Sequence, residues 1–168
     1  MDRATKSLAY LKSIHPAIQN SKAREFAEYW MSIHPGDRLP SRTHFDPIDI
    51  PSLLPNLVLV DVTREPIRFM VKVQGTEVTR AMRRELKGTY LDEAFPDFKQ
   101  SFPHLDRVRV VETGLPLHRL GSPSLQFALD YAPIERLHLP LSTDGSAVDK
   151  VISIFLYEQK PDSTGSLI

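Results

Sequence analysis

The sequence contains no cysteine, which excludes disulfide bridges, thiolate catalysis, iron–sulfur clusters and cysteine-rich zinc sites. It also lacks any run of about 18 apolar residues and any apolar stretch of signal length near its start. We therefore expect a soluble, cytoplasmic protein that does not enter a membrane. Net charge is absent as well, because 21 basic residues balance 21 acidic ones. A neutral chain does not favour nucleic acid as a partner.

Proline is what the sequence has in excess, since 14 prolines divide the 168 residues into short units. Residues 36–55 are especially rich in them, and we interpret this stretch as a folded connector. It holds one predicted helical turn, capped by Asp46 and begun by Pro47. Residues 4–14 leave two interpretations open, a short amphipathic helix or a frayed terminus. The polar end of the chain predicts a disordered tail.

Apolar residues at helical spacing predict three further helices. The first follows Asn20 or Ser21, both good N-caps, and runs to about residue 34. Its stripe of Phe26, Trp30 and Ile33 is too large to face water, so it packs on the chain's own core or on a second copy. We predict a homodimer that uses these side chains. The other helices are predicted at 77–86 and at 105–112, the latter with Leu105, Val108 and Val111 on its apolar side.

Alternating apolar and polar residues, the pattern of half-buried strands, predict two antiparallel hairpins. The longer hairpin spans residues 131–157 and turns at 142–146, and the other pairs 56–63 with 67–73. A short strand at 117–120 and an extended piece at 125–129 precede the long hairpin. A hairpin alone is marginally stable in water, so helices must cover an apolar face of the sheet.

This order of helix, two strands, short helices, a longer helix and three strands resembles that of PAS sensory domains. More narrowly, the chain is similar to a family of small proteobacterial PAS-like proteins over about residues 21–158. The matching motifs are Tyr29-Trp30, Leu39-Pro40-Ser41-Arg42, Asp46-Pro47, Leu54-Pro55, Gly75-Thr76, Leu86-Lys87-Gly88, Tyr90-Leu91-Asp92, Glu112-Thr113-Gly114, Pro116, Glu135-Arg136-Leu137 and Leu139-Pro140-Leu141-Ser142.

The resemblance implies an α+β fold, a PAS-like five-stranded antiparallel sheet with helices over one face and an N-terminal amphipathic helix. Its last strand would lie beside its first, at the centre of the sheet. We accordingly divide the chain into an N-terminal helical extension (1–35), a PAS-like domain (36–158) and a disordered tail (159–168).

A ligand pocket in such a fold is walled by the sheet and the helices over it, although the same residues also describe a filled core. We place Leu137 and Leu139 on this face, and Arg136 with His138 on the outer face, under the first helix. The predicted lining residues are Phe69, Val71, Met82, Tyr90, Phe95, Val108, Leu137, Leu139 and Ile154.

The resemblance implies no particular cofactor, and no metal site is predicted. PAS domains can hold haem through a histidine near the position of His104, but this residue follows Pro103 and is expected to cap the helix or face water. Flavin photochemistry of the light-sensing type needs a cysteine. Non-covalent flavin or another planar ligand stays open.

Catalytic patterns are weak. His44 with Asp46, and His104 with Asp106, have a spacing that suits general-base catalysis. Neither pair is accompanied by a nucleophile, an oxyanion donor or a ligand set, so we interpret both as chance. A basic cluster on the 77–86 helix suits a solvated face better than a phosphate or acidic-partner site; its members are Arg80, Arg83, Arg84 and Lys87.

The sequence thus predicts a non-enzymatic sensory or regulatory domain that relays a signal by binding a small molecule, a protein partner or both. One alternative is an enzyme or carrier built as a cone-shaped α+β barrel, with His118 or His44 as its base. The place of the first strand separates them, because only the PAS arrangement puts it beside the last strand. A second alternative is a protein-interaction module without a pocket.

Overall fold

The computed structural model describes residues 1–121 and 131–159. Within these ranges the chain forms five α-helices and five β-strands. The helices are α1 (Arg3–Ile14), α2 (Ser21–Ile33), α3 (Thr76–Met82), α4 (Leu91–Ala94) and α5 (Phe102–Thr113). The strands are β1 (Leu57–Thr63), β2 (Arg68–Gln74), β3 (Leu117–Leu120), β4 (Tyr131–Leu141) and β5 (Lys150–Gln159).

The strands in the described ranges form one antiparallel sheet in the order β2-β1-β5-β4-β3. The first strand pairs with the last, with Leu57 opposite Ile154. This pairing confirms the predicted PAS-like arrangement of the sheet. The alternative prediction of a cone-shaped barrel is therefore wrong. The long β4–β5 hairpin also forms as predicted. The Asp144 carboxylate closes its turn by accepting hydrogen bonds from the backbone N–H groups of Ser146 (2.8 Å) and Ala147 (2.9 Å).

Both N-terminal segments are helical. Residues 3–14 form α1 rather than a frayed end, and the Asp2 side chain caps this helix by accepting from the Thr5 N–H at 2.7 Å. Asn20 caps α2 as predicted, accepting from the Lys22 N–H at 2.8 Å. The two open interpretations of the N-terminus are thereby reduced to one.

The aromatic stripe of α2 packs on the chain's own sheet. Phe26 and Trp30 are 0% and 1% exposed, and the Trp30 indole N–H donates to the Pro140 carbonyl oxygen on β4 at 3.0 Å. The prediction that these two side chains form a dimer interface is therefore wrong, because the sheet already covers both rings and accepts the indole proton. Ile33, the third residue of the stripe, is half-buried.

Two helices differ from their sequence-based bounds. The helix predicted at 77–86 ends early, at Met82, because Arg83 adopts a left-handed backbone conformation with φ 56°. Helix α5 is longer than predicted and buries a different side: Leu105 is half exposed, whereas His104 and Arg107 are buried. Apolar periodicity does not reveal this side because three of its buried residues, His104, Asp106 and Arg107, are polar.

Helices cover both faces of the sheet. Helix α2 packs on the face that carries Glu135 and Leu137, and α5 packs on the face that carries Arg136, His138 and Phe155. We call these the α2 face and the α5 face. The prediction that the first helix covers Arg136 and His138 is thus wrong. Alternation decides which residues of a strand share a face, but not which helix covers that face.

The proline-rich connector folds into short 3₁₀ turns at Arg42–His44, Pro47–Asp49 and Leu54–Asn56. Asp46 caps the second turn as predicted, accepting from the Ile48 N–H at 3.0 Å. The connector then runs so close to the end of β2 that a Cβ on Gly75 would lie 2.3 Å from the Pro55 carbonyl oxygen. A glycine is required here by the approach of two backbones.

Some predictions fall outside the described residues, namely the extended piece at 125–129 and the tail from residue 160. Among the helices of the described ranges, none has the length and apolar character needed to cross a membrane.

Candidate functional site

The predicted pocket residues do not share one wall. Leu137, Leu139 and Ile154 lie on the α2 face, since Leu137 pairs with Ile154 and Ile154 with Leu57. Phe69 and Val71 lie on the α5 face, where Val71 pairs with Val60. The residues of the predicted set therefore cannot all line a single cavity.

The remaining members of the set lie on α3, next to α4 and on α5. Tyr90 forms a β-bridge with Met70 of β2. The Arg68 guanidinium lies over the Tyr90 ring, 3.7 Å from the centroid of that ring. Met82 and Val108 are partly buried against the core. A role for these residues in ligand binding stays a prediction.

One half of the α5 face is aromatic. His104, in the first turn of α5, is buried, and its ring packs edge-on against Phe69 (5.5 Å between centroids) and Phe98 (5.4 Å). Phe95 continues this cluster at 6.3 Å from Phe98. The prediction that His104 caps the helix or faces water is wrong, because these rings enclose it. Burial is the main cause that lowers the pKa of His104.

The other half of the α5 face is cationic. It brings together guanidinium groups from three elements: Arg107 on α5, Arg119 on β3 and Arg136 on β4. Arg119 is neutralised by a bidentate pair with Asp106, at 2.7 and 2.6 Å. Arg107 and Arg136 are only 4% and 3% exposed. Neither has a carboxylate partner within residues 1–121 and 131–159.

Arg107 and Arg136 donate to backbone carbonyls instead. Arg107 Nη1 donates to Pro103 O at 2.8 Å, and Arg136 Nη2 donates to Gly121 O at 2.7 Å. Both Nε atoms are buried and have no hydrogen-bond partner in the part of the chain that the structure describes. Burial lowers the pKa of Arg107 to about 10 and also lowers the pKa of Arg136. A buried cation without a counter-charge is destabilising, so this half of the face suits an added anion.

His138 lies within the same cationic half. Its Nδ1 is 2.5 Å from Ser153 Oγ, and its Nε2 has no hydrogen-bond partner in residues 1–121 or 131–159. The His138 ring packs edge-on against Phe155 (5.8 Å), and the Arg107 guanidinium lies 5.7 Å from the centroid of that same ring. Burial, reinforced by the neighbouring arginines, holds the pKa of His138 well below its usual range. The imidazole is therefore neutral at pH 7.

A second buried polar group lies on the α2 face. Glu135 accepts hydrogen bonds from the backbone N–H groups of Gln19 (2.8 Å) and Asn20 (2.6 Å) and lies 2.6 Å from His118 Nε2. Burial alone would raise the pKa of Glu135, but these hydrogen bonds together lower it. Since every one of these partners belongs to the chain, the group ties α2 and β3 to β4.

The candidate catalytic pairs are not brought together. His44 Nδ1 accepts from the Ser41 N–H at 3.0 Å, whereas Asp46 caps the next turn. Asp106 is bound by Arg119 rather than by His104. Within the ranges that the structure describes, no three His, Asp or Glu side chains are grouped closely enough to hold a metal ion.

The basic cluster at 80–87 is spread over the end of α3 and the loop after it. Arg80 lies 3.7 Å from Glu77. Arg84 donates to the Ala94 carbonyl oxygen at 3.1 Å, with its guanidinium 5.6 Å from the Phe95 ring centroid. These contacts favour the predicted solvated face over a phosphate site.

Comparison with known proteins identifies the family. A family model described as PAS domain matches residues 18–156. The chain belongs to the PAS domain family. The match begins just before α2 and includes most of β5, so the sheet of this PAS domain is the one described above. No curated protein matches the chain.

The polar residues that distinguish the α5 face of this PAS domain are not among the site residues predicted from the sequence. A signal was present: Arg136 and His138 alternate with leucines in a strand that was expected to lie inside the sheet, with helices on both sides. Polar side chains in such a place cannot reach water and need partners. The residues missed are Arg107, Arg119, Arg136, His138 and Ser153.

Proposed function

We propose that this PAS domain is a non-enzymatic sensory or regulatory module that binds a small molecule on its α5 face and relays that binding to a protein partner. Family membership supports a sensory or regulatory role in general. The proposal of a ligand rests on a set of buried polar atoms that have no partners among the described residues: His104 Nδ1, Arg107 Nε, Arg136 Nε and His138 Nε2. Buried polar atoms are nearly always paired in native proteins, so this set favours an additional bound group.

The chemistry of the α5 face favours binding over catalysis. His138 and Ser153 form the hydrogen bond that a nucleophilic serine needs. Both residues are only 1% exposed, and the neighbouring arginines disfavour the protonated imidazole that a general base becomes. We therefore interpret the pair as part of a binding surface.

The strand β4 supports a route for the relay. Arg136 and Glu135 are adjacent in β4 and point to opposite faces. A ligand on the α5 face contacts the Arg136 side, while Glu135 holds the start of α2 through Gln19 and Asn20. Any shift of β4 is thus passed to α2 on the other side of the sheet.

Native mass spectrometry of the full-length protein as purified from its host tests this proposal, together with its absorption spectrum. We expect a mass excess that is present under native conditions and is lost on denaturation. A protein with no mass excess, which no added small molecule stabilises, would contradict ligand binding and would favour the pocketless interaction module.

One observation favours that second candidate. A groove of about 450 Å³ lies between the connector and the β1–β2 part of the sheet, and its lining is mostly apolar, including Pro51, Leu57 and Val73. Apolar surface open to solvent is typical of protein-binding sites. This groove can serve a protein partner whether or not a ligand binds on the α5 face.

A further inference from the structure

We infer that the ligand of the α5 face is a small organic anion whose carboxylate or phosphate group binds between Arg107 and Arg136. This inference rests on the proposed function, which requires a ligand on this face but does not specify its charge.

The charge balance of the α5 face carries the inference. Arg107, Arg119 and Arg136 supply three positive charges, and Asp106 is the acidic side chain that they meet within the described residues. Both oxygens of Asp106 are occupied by Arg119. The buried guanidiniums of Arg107 and Arg136 therefore form no ion pair within the described residues. An anionic ligand supplies such a partner and a neutral ligand does not.

The available donors suit an oxyanion. A guanidinium offers its N–H groups as a planar fork that matches two oxygens of a carboxylate or a phosphate. The Nε atoms of Arg107 and Arg136 are buried and have no partner among the described residues, and His138 Nε2 is a third such atom nearby. When the Ser153 hydroxyl donates to His138 Nδ1, the proton of the neutral ring resides on Nε2, which adds a further donor.

The aromatic half of the face suits the rest of such a ligand. His104 precedes Arg107 by one helical turn on the buried side of α5 and packs against Phe69 and Phe98. The cationic half therefore borders an aromatic half within a single turn. A molecule that spans both has an anionic group and an apolar body.

Four probes test the class of ligand on the full-length protein by thermal unfolding. Benzoate and phenyl phosphate carry an anion on an aromatic ring, benzamide is the neutral counterpart of benzoate, and inorganic phosphate carries the charge alone. We expect the two aromatic anions to raise the melting temperature at concentrations where benzamide does not. The larger shift of the two identifies a carboxylate or a phosphate as the preferred group.

Arg107→Met and Arg136→Met each remove one guanidinium while keeping an apolar stem. We expect roughly 10- to 100-fold weaker binding of the stabilising probe, because a charge-assisted hydrogen bond is lost. Without probe, both variants should melt at the wild-type temperature or above it, since an unpaired buried cation is itself destabilising. Arginines with a purely structural role would give the opposite result, a lower melting temperature with and without probe.

Arg109→Met is the matched control, because Arg109 is an exposed arginine on the same helix. It should bind the probes as the wild type does. Asp130→Asn controls for a counter-charge from the chain itself, since Asp130 lies in the sequence between β3 and β4. We expect this change to leave probe binding unaltered. A loss of stability in Asp130→Asn that Arg136→Met abolishes would overturn the inference.

Native mass spectrometry separates failure of the inference from failure of the proposed function. An anion released from the wild type, and absent from both methionine variants, supports the inference even where no probe binds. Release of a neutral molecule would overturn the inference that the ligand is an anion, and it would leave the proposed function standing. No released molecule and no stabilisation by any probe overturn both.

Discussion

The fold favours the neutral form of His138 more strongly than water does. It is buried among Arg107, Arg119 and Arg136, and each of these cations opposes its protonation. Protonation of this ring therefore destabilises the fold. The same reasoning applies to the buried arginines, whose positive charges remain in place at the expense of stability.

We expect the free energy of unfolding to fall between about pH 7 and about pH 5, because the unfolded chain binds protons that the folded chain does not. An unfolded histidine has a pKa of about 6.5. The pKa of His138 is lower than this in the folded state. Its contribution is therefore lost progressively as the pH falls through 6.5 toward the folded pKa, with a slope that approaches about 1.4 kcal/mol per pH unit.

Urea denaturation over this pH range measures the slope for the wild type and for His138→Gln. The variant should lose most of the His138 contribution, while His34 and His104, whose pKa values are also lowered, maintain part of the slope. His44→Gln serves as the control because His44 is exposed. Equal slopes for His138→Gln and the wild type would contradict the prediction.

At the scale of elements, one carboxylate connects three of them. Glu135 on β4 binds the backbone before α2 and the His118 side chain on β3. It is 2% exposed, so water cannot replace these contacts. This carboxylate supplements the hydrophobic packing of α2, because it holds the start of the helix at one place on the sheet.

We expect Glu135→Ala to lower the free energy of unfolding by about 3 kcal/mol, because it leaves two backbone N–H groups and the partly buried imidazole of His118 without their acceptor. Chemical denaturation followed by the fluorescence of Trp30 measures the change. Glu158→Ala is the matched control, since Glu158 is an exposed carboxylate on the neighbouring strand β5. A loss of well under about 1 kcal/mol would show that Glu135 does not tie these elements together.

At the scale of the whole molecule, the two faces of the sheet have different characters. The α2 face is an apolar core with Trp30 and the leucines of β4 at its centre. The α5 face combines an aromatic half with a cationic half, in which Arg107 and Arg136 form no ion pair among the described residues. Helix α2 packs on its own sheet, so the rings of Phe26 and Trp30 are not free to bind a second copy.

A homodimer stays a prediction, and it must use a surface other than Phe26 and Trp30. Light scattering after size exclusion should give a mass near twice the 19.1 kDa of one chain. Trp30 is the single tryptophan of the chain and is covered by its own sheet, so its emission should not change across the dilution series. A mass of one chain at every concentration would contradict the dimer.

Much of the fold is predictable because its signals are local. The caps of α2 and of the turn after Asp46 follow from side chains that bond the backbone two residues on. The long hairpin follows from period-two alternation and the turn residues at 142–146. The candidate site is less predictable, because Arg107 and Arg136 are ordinary charged residues until a helix and a strand bury them together.

The amino-acid sequence by itself determined the order of the main helices and strands and, in β4 and β5, which residues share a face, because these properties depend on neighbours along the chain. Only the tertiary structure decided that α2 covers Leu137 and that α5 covers Arg136. Packing of a helix on a sheet is an interaction between segments far apart in sequence, and either face offers a partner until the whole chain is assembled. The buried charges of the α5 face are a product of that choice.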